Sequence, residues 1–234
     1  MNCVILQPSY IPWRGYFDQI FRADVFVFYD DVQYDKHGWR NRNRIKTHQG
    51  GQWLTIPVHS AGNVVENTPI NEIEIAWQQP WSERHLRAIQ QAYSKAPYYK
   101  TYASWLEEVY SRRPALLADF TIPLTIELAQ KLGICHTRFL RSSELKASGQ
   151  KTDRLIEILT QLEVTHYISG PSARSYIEEE KFQAAGISLE YIEYNYPEYP
   201  QLHPPYDAFV TILDLLFMTG PDASRYIFQR GKHE

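Results

Sequence analysis

The sequence has few cysteines, no long hydrophobic run and no strong excess of charge of either sign. Two of its 234 residues are cysteines, Cys3 and Cys135, which is too few for a disulfide framework. Each lies in or beside an apolar, strand-like segment, so we expect both thiols to be small buried packing residues. Neither has a cysteine or histidine partner at the spacing of metal ligands, so the sequence predicts no metal site.

The absence of a long hydrophobic run argues against a membrane-spanning helix, which needs ~20 apolar residues. The net charge of −3 provides no general attraction to nucleic acid or anionic lipid. Met1 is followed at once by a strand-like segment instead of the pattern of a signal peptide. These observations predict a cytoplasmic protein without a transmembrane segment and without a strong nucleic-acid signal.

Aromatic residues, in contrast, are abundant. The chain contains 17 Tyr, 10 Phe and 6 Trp, together 14% of its residues. Core packing can use all of them, but Tyr and Trp are also suited to stacking on sugars or bases. The aromatic content therefore leaves a binding function open.

The N-terminal segment predicts a strand, a helix and a second strand. Residues 2–6 are apolar, residues 14–22 have helical spacing, and residues 25–29 form another apolar run. Two strands joined by one short helix should be parallel, with a right-handed crossover. Their carboxyl ends then meet at the sheet edge where α/β proteins bind ligands. This arrangement places Gln7, Tyr10 and Trp13 beside Asp30 and Asp31.

The segment that follows, residues 30–46, concentrates polar side chains of several kinds. Arg40, Arg42 and Arg44 alternate, so an extended strand would place them on one face, where they suit phosphate or carboxylate groups. A solvated connection is the alternative interpretation. On the binding interpretation, the candidate bases are Asp30, Asp31 and His37, and the substrate-binding residues are Gln33, Trp39, Arg40, Asn41 and Arg42.

A second candidate binding segment follows the predicted strand at residues 166–169. Ser169, Gly170 and Ser172 lead into a helix predicted at about 174–179, and backbone N–H groups at such a helix start bind anions. We therefore predict that these three residues bind substrate. The sequence GQKT at 149–152 resembles the end of a phosphate-binding loop, but the earlier glycine of that motif is missing.

The whole pattern predicts a three-layer α/β domain with a mainly parallel, Rossmann-like sheet. A β-hairpin is predicted around residues 48–51, an exposed loop at 59–69 and a short strand at 70–75. Three helices at about 80–132, with a kink at Pro123, form an insertion that could be a helical subdomain of a single domain 1–234. The last third returns to α/β order, with strands at 136–140, 166–169 and 187–192, a polar loop at 142–152, and helices at 152–162, 209–218 and 221–228.

Four segments carry a resemblance to a known family. They are ILQPSYIPWRGYFDQI, DVFVFYDDVQYDKHGWRNRNRIK, YISGPSARSYI and YPEYPQLHPPYDAFVTILDLLFMTGPDASRYI, in this order. Together they resemble the WbqC-like proteins of bacteria, which often accompany genes for O-antigen and other surface polysaccharides. Pro204 stands where we would expect glycine. The segments that match the family pattern contain Gln7, Tyr10, Pro12, Trp13, Asp30, Asp31, Gln33, Trp39, Arg40, Asn41, Arg42, Ser169, Gly170 and His203.

This resemblance implies a transferase that moves an aminoacyl (glycyl-like) or other acyl group onto an amino or hydroxyl group of a nucleotide- or lipid-linked sugar. The alternative is a non-catalytic protein that binds a glycan or nucleotide sugar. A second resemblance, to nucleotidylyltransferase- and ligase-type Rossmann-like enzymes, lacks their His-x-Gly-His pair in residues 8–18. The expected partners are the sugar and an acyl donor. The cofactor stays unknown, and a homodimer is one alternative for the oligomeric state.

Overall fold

A computed structural model describes residues 1–59 and 68–228. Its centre is a five-stranded, wholly parallel sheet, and a separate antiparallel hairpin lies beside it. The predicted α/β class is therefore confirmed. The strands, in chain order, are β1 (Asn2–Leu6), β2 (Val25–Phe28), the hairpin strands β3 (Arg42–Thr47) and β4 (Gly50–Thr55), then β5 (Arg138–Arg141), β6 (His166–Ser169) and β7 (Ser188–Tyr191).

Eight α-helices accompany the strands in the described ranges. They are α1 (Arg14–Arg22), α2 (Trp81–Tyr93), α3 (Tyr99–Ser111), α4 (Leu117–Lys131), α5 (Ser142–Leu145), α6 (Lys151–Gln161), α7 (Glu179–Ala184) and α8 (Ile212–Thr219). None of these helices combines the length and the apolar character needed to cross a membrane.

Successive residues of a strand point to opposite faces of the sheet. Because hydrophobic clusters cover both faces, the sheet is the middle layer of three. In β2, Phe26 and Phe28 join a hydrophobic cluster with Phe17 and Ile20 of α1. Val25 and Val27 join a second cluster with side chains of α6 and α7. The all-apolar sequence of β2 thus reflects burial on both faces, as is typical of parallel sheets.

The strand order is β5-β2-β1-β6-β7, so the chain winds outward in both directions from the β1–β6 pair. Sheets of this doubly wound type bind ligands beyond the carboxyl ends of the strands where the order reverses. The topology therefore points to the loops that follow β1 and β6.

The helices between the hairpin and β5 share one continuous hydrophobic cluster with the sheet. Ile89 of α2, Leu106 of α3 and Phe120 of α4 belong to the same hydrophobic cluster as Phe26 of β2. Pro123 lies inside α4, which continues past it to Lys131.

Several local predictions were wrong. Residues 70–75 contain a 3-10 helix, Ile70–Glu72, followed by isolated bridges, and the helix predicted at 174–179 is a 3-10 helix at Pro171–Ser175. The polar loop predicted after β5 begins with α5, and Cys135 is exposed. The final predicted helix is the 3-10 helix Gly220–Tyr226. Most of the loop predicted at 59–69 lies outside the described residues.

Candidate functional site

A cleft of about 650 Å³ lies at the switch point between β1 and β6. The loop after β1, the start of α6 and the 3-10 helix after β6 form its walls, together with parts of α1 and of the segments before α8 and β3. Its lining residues are Ile5, Leu6, Gln7, Ser9, Pro12, Trp13, Tyr16, Gln19, Tyr29, Trp39, Arg40, Asn43, Lys151, Leu155, Tyr167, Ser172, Tyr176 and Phe209.

The loop after β1 is held in place from the hairpin side by Arg40. Its Nη1 donates to the carbonyl oxygens of Gln7 and Pro8, both at 3.1 Å, and to Ser9 Oγ at 2.9 Å. One guanidinium nitrogen thus bridges three consecutive residues of the loop. Burial lowers the pKa of Arg40 from its ordinary value, while nearby Tyr16 and Asp35 oppose this shift.

Asn43 of β3 holds the same loop one step further along the chain. Its Nδ2 donates to the carbonyl oxygens of Tyr10 at 3.1 Å and Ile11 at 2.8 Å. Ile11 has a positive φ of 37°, which is unusual for a β-branched residue. Such backbone conformations persist where the surroundings over-determine them, so Asn43 and Arg40 together fix the cleft loop in a strained conformation.

Lys151, at the start of α6, is a second cleft residue with a positive φ, here 51°. Its side chain is exposed. The GQKT segment thus contributes to the cleft at a helix start, although it lacks the complete phosphate-binding motif. Arg40 and Lys151 give the cleft two cationic side chains.

Two buried polar atoms of the cleft-lining residues have no hydrogen-bond partner. Gln19 is 4% exposed and donates through Nε2 to the Tyr194 hydroxyl at 2.8 Å, but its buried Oε1 has no partner. The Nε of Arg40 is likewise buried without a partner. Buried polar atoms in native proteins are nearly always satisfied, so these two atoms are exceptions.

Aromatic rings form much of the cleft wall. Trp13 packs edge-on against Tyr194, with ring centroids 4.9 Å apart, and lies 5.8 Å from Phe209. Its ring occupies the space beside Gly15, where a Cβ atom would come within 2.3 Å of it. Gly15 is therefore required for this position of the tryptophan.

The structure brings five of the predicted site residues to the cleft. Gln7, Trp13, Trp39, Arg40 and Ser172 line it.

Asp30 lies elsewhere, fully buried at the end of β2. Its carboxylate accepts hydrogen bonds from Ser142 Oγ at 3.2 Å and from the N and Oγ of Ser143, at 3.1 and 3.0 Å. These bonds attach α5 to the end of the sheet.

Asp31 and His37 also lie outside the cleft lining. The carboxylate of Asp31 forms an ion pair with Arg154 of α6 and accepts from the Ser142 hydroxyl. His37 is exposed, and its backbone N–H donates to Asp35 Oδ1 at 2.9 Å. Asp31 thus faces α6 instead of the arginines of the basic segment.

The other predicted binding residues have different surroundings. The buried Tyr10 hydroxyl lies 2.8 Å from His85 Nδ1, and Asn41 Nδ2 donates to the Ile56 carbonyl at 2.8 Å. Arg42 stacks on Trp53, and His203 lies near His48. Gln33, Ser169 and Gly170 do not line the cleft either.

The anion site predicted at the turn after β6 loses its helical basis. The element that follows Gly170 is a five-residue 3-10 helix that begins with Pro171, and proline has no N–H to offer. A Cβ at Gly170 would make only ordinary contact, at 3.5 Å, with Tyr194. Ser172 is the part of this turn that reaches the cleft.

The sequence reasoning missed several residues that form the site. Gln19 and Asn43 were obscured because each lies in a regular element whose pattern predicts burial. Tyr176 and Phe209 come from segments far along the chain, and no local signal joins them to the loop after β1. For Lys151 a signal existed, the partial phosphate-loop sequence.

The described cleft-lining residues contain no carboxylate and no imidazole. Nor do His, Cys, Asp and Glu side chains of the described ranges gather in groups that suit a metal ion. The cleft is thus an aromatic and cationic site, with buried unpartnered atoms on Gln19 and Arg40.

Comparisons with known proteins agree with the resemblance seen in the sequence. Over 225 residues the chain is 41% identical to Uncharacterized protein Rv1507c of Mycobacterium tuberculosis, covering 95% of this chain and 96% of that protein. No solved structure matches the chain. Residues 7–226 match the WbqC-like protein family, and the chain belongs to this family.

Proposed function

We propose that the protein binds a nucleotide- or lipid-linked sugar in the switch-point cleft and transfers an acyl or aminoacyl group to it. The observation that carries this proposal is the preorganised cleft, with aromatic walls and two cationic side chains, Arg40 and Lys151. Its volume of about 650 Å³ lies within the range of about 300–1,000 Å³ that is usual for small-molecule sites. Surface polysaccharide biosynthesis is the proposed setting, from the family resemblance.

The cleft offers separate places for the parts of such a ligand. Trp13, Trp39 and Tyr176 present aromatic faces to a base or a sugar ring. Arg40 and Lys151 would neutralise a phosphate, and a guanidinium is well suited to paired hydrogen bonds with phosphate oxygens.

In the proposed reaction, a nitrogen or oxygen of the sugar forms a bond to the carbonyl carbon of the donor, the bond from that carbon to the leaving group breaks, and the proton of the attacking atom departs with the leaving group. The free Nε of Arg40 would stabilise the oxyanion that forms, and the free Oε1 of Gln19 would accept a hydrogen bond from the attacking group. A hydroxyl needs a base to become a good nucleophile, whereas a neutral amine already has a free electron pair. Since no described cleft residue is a carboxylate or histidine, we favour an amino sugar as acceptor.

One observation favours a second candidate, a non-catalytic binding protein. Asp30, Asp31 and His37 stay predictions as bases, and none of them lines the cleft. An aromatic, cationic cleft whose described lining has no carboxylate or imidazole would bind a sugar phosphate equally well.

The test combines binding and turnover. A thermal-shift screen of nucleotides, nucleotide sugars and acyl donors identifies ligands, and mass spectrometry then detects acylated sugar. We expect a nucleotide sugar to raise Tm, with the shift lost in Trp13→Ala and kept in Arg87→Gln, an exposed surface variant. Binding without product would favour the binding protein, and release of diphosphate from a nucleoside triphosphate would favour a nucleotidylyltransferase. Failure of every compound to bind would contradict the proposal.

A further inference from the structure

The exposed aromatic side chains of the described residues gather at one place. Besides Met1, the exposed large hydrophobic residues are Trp39, Trp53, Tyr176 and Phe209, with 44 to 62% of their surface accessible. Three of these four line the cleft, and the fourth, Trp53, has its ring centroid 5.3 Å from that of Trp39. Clustered exposed aromatic surface is unusual without a binding role, so the surface next to the cleft needs an explanation.

Trp53 belongs to the outer face of the β3–β4 hairpin. Asn43 and Ile45 of β3 point inward and are buried, so Arg42 and Arg44 point outward. Trp53 of β4 lies opposite Arg44 in the register. Both guanidiniums lie over its ring, at 4.7 Å for Arg42 and 5.8 Å for Arg44. We call Trp39, Arg42, Arg44 and Trp53 the hairpin platform.

The two arginines of the hairpin platform are held by backbone carbonyls. Arg42 Nε donates to the Gly38 carbonyl at 3.3 Å, and Arg44 Nη2 donates to the Phe209 carbonyl at 3.3 Å. A guanidinium has five N–H donors, so each keeps donors for a ligand. The Nε of Arg44 is buried and has no partner. Fixed guanidiniums lose little conformational freedom when they bind an anion.

We propose that the hairpin platform is a second subsite that binds a sugar phosphate. The sugar stacks on Trp39 and Trp53, and the phosphate is bound by Arg42 and Arg44. This inference rests on the proposed function, because the hairpin platform continues the same cleft through Trp39. It makes the site long enough for two linked sugars, or for the donor and acceptor together.

The charges of the hairpin platform favour a sugar phosphate over a membrane surface. Segments that bind anionic lipid usually carry clusters of about four to eight basic residues. Here two arginines face the ligand, and Asp207 lies 3.7 Å from Arg44.

The test uses glucose 1-phosphate as probe and the indole N–H signals of Trp53 and Trp13 in NMR spectra. We expect millimolar probe to shift the Trp53 signal. The double variant R42Q/R44Q should weaken binding at least about tenfold, because it removes both charged donors. The matched variant R87Q, at an exposed arginine on α2, should bind as the wild type does. Unchanged affinity in R42Q/R44Q would overturn the inference.

Two further readings separate this inference from the proposed function. A nucleotide sugar that shifts Trp13, combined with glucose 1-phosphate that leaves Trp53 unmoved, would overturn the hairpin platform alone. A response of Trp53 without any ligand response at Trp13 would support a phosphate-binding hairpin and contradict the cleft. The third outcome concerns membranes. If the protein sediments with phosphatidylcholine/phosphatidylglycerol vesicles, Trp53→Ala abolishes this sedimentation and glucose 1-phosphate gives no response, the hairpin platform binds a membrane surface and the inference is overturned.

Discussion

At the residue scale, the shape of the cleft depends on side chains that form hydrogen bonds to the backbone instead of to a ligand. Asn43 and Asn41 make this visible, because both are buried and both donate from Nδ2 to a carbonyl. Asn43 bonds to the strained loop at Tyr10 and Ile11, whereas Asn41 bonds to Ile56, the residue that follows β4 at the open end of the hairpin.

This pair provides a matched comparison. Asn43→Ala and Asn41→Ala should each lower the free energy of unfolding by about 1–3 kcal/mol, because each leaves buried carbonyls without a donor. Only Asn43→Ala should also weaken ligand binding, by at least about tenfold, since the loop is then free to relax. Urea unfolding and isothermal titration of each folded variant measure the two effects. Equal loss of affinity in both would contradict the role given to Asn43.

His85 is the residue that should make stability depend on pH. It is 6% exposed, and burial lowers its pKa to about 4. The unfolded chain, with an ordinary histidine pKa of ~6.5, takes up a proton between about pH 6.5 and 4 that the folded protein does not. The contribution of neutral His85 to the free energy of unfolding is thus fully present above about pH 6.5. It is lost as the pH falls, by at most about 3 kcal/mol.

Urea midpoints measured near pH 7 and near pH 5 test this, with His85→Gln as the comparison. The variant should be less stable at neutral pH but should lose less stability on acidification than the wild type. A wild-type pH dependence in His85→Gln would show that other groups cause it.

At the scale of the element, the second residue of helix α1, Gly15, is a glycine for a reason outside the helix. Alanine is ordinarily better than glycine in a helix by about 1 kcal/mol. At Gly15 the added Cβ would lie 2.3 Å from the ring of Trp13. Gly15→Ala should therefore fail to stabilise the protein and should displace Trp13 from the cleft wall, with a loss of ligand affinity.

A double-mutant comparison isolates that contact. When Trp13 is already Ala, adding Gly15→Ala should raise stability by up to about 1 kcal/mol, because the helix preference then acts without the clash. Thermal unfolding of the four proteins measures it. Stabilisation by Gly15→Ala in the presence of Trp13 would contradict the account.

Helix α5 gives the corresponding test for the two carboxylates after β2. Asp30→Asn should cost about 1–3 kcal/mol of stability, because the buried carboxylate accepts three hydrogen bonds from α5, and ligand binding should be kept. Asp153→Asn, which alters an exposed pair with Lys181, is the control and should be nearly neutral. If Asp30→Asn stays as stable as the wild type and loses turnover by about 10²-fold or more, Asp30 is a base after all.

At the scale of the whole molecule, those parts of the fold that the local sequence pattern determines could be predicted. The β1–α1–β2 unit follows from two apolar runs around one helical segment, and the hairpin from alternation around a glycine turn. The order of the strands could not be predicted, because β1 pairs with β6 through residues more than 160 positions apart in the sequence. Tyr176 follows β6 and comes to the cleft with that pairing, whereas the segment of Phe209 is held by Arg44 of the hairpin.

The dependence on residues distant in the sequence also explains why only part of the site could be predicted. A residue that follows a strand is expected at the carboxyl edge of the sheet, and Gln7 and Trp13 line the cleft there. Whether its side chain turns into the crevice depends on neighbours that the local sequence does not contain. Asp30 is buried where it accepts hydrogen bonds from Ser142 and Ser143. Asp31 is directed toward α6 by its ion pair with Arg154.

The most direct test of the central claim is a crystal structure with the nucleotide sugar that raises Tm most in the screen. We expect its density in the cleft between the loops after β1 and β6, against Trp13 and Ser172, with a phosphate near Arg40 or Lys151. Density at another place, such as the surface beside Asp30 or the hollow next to Phe228, with the switch-point cleft empty, would contradict it.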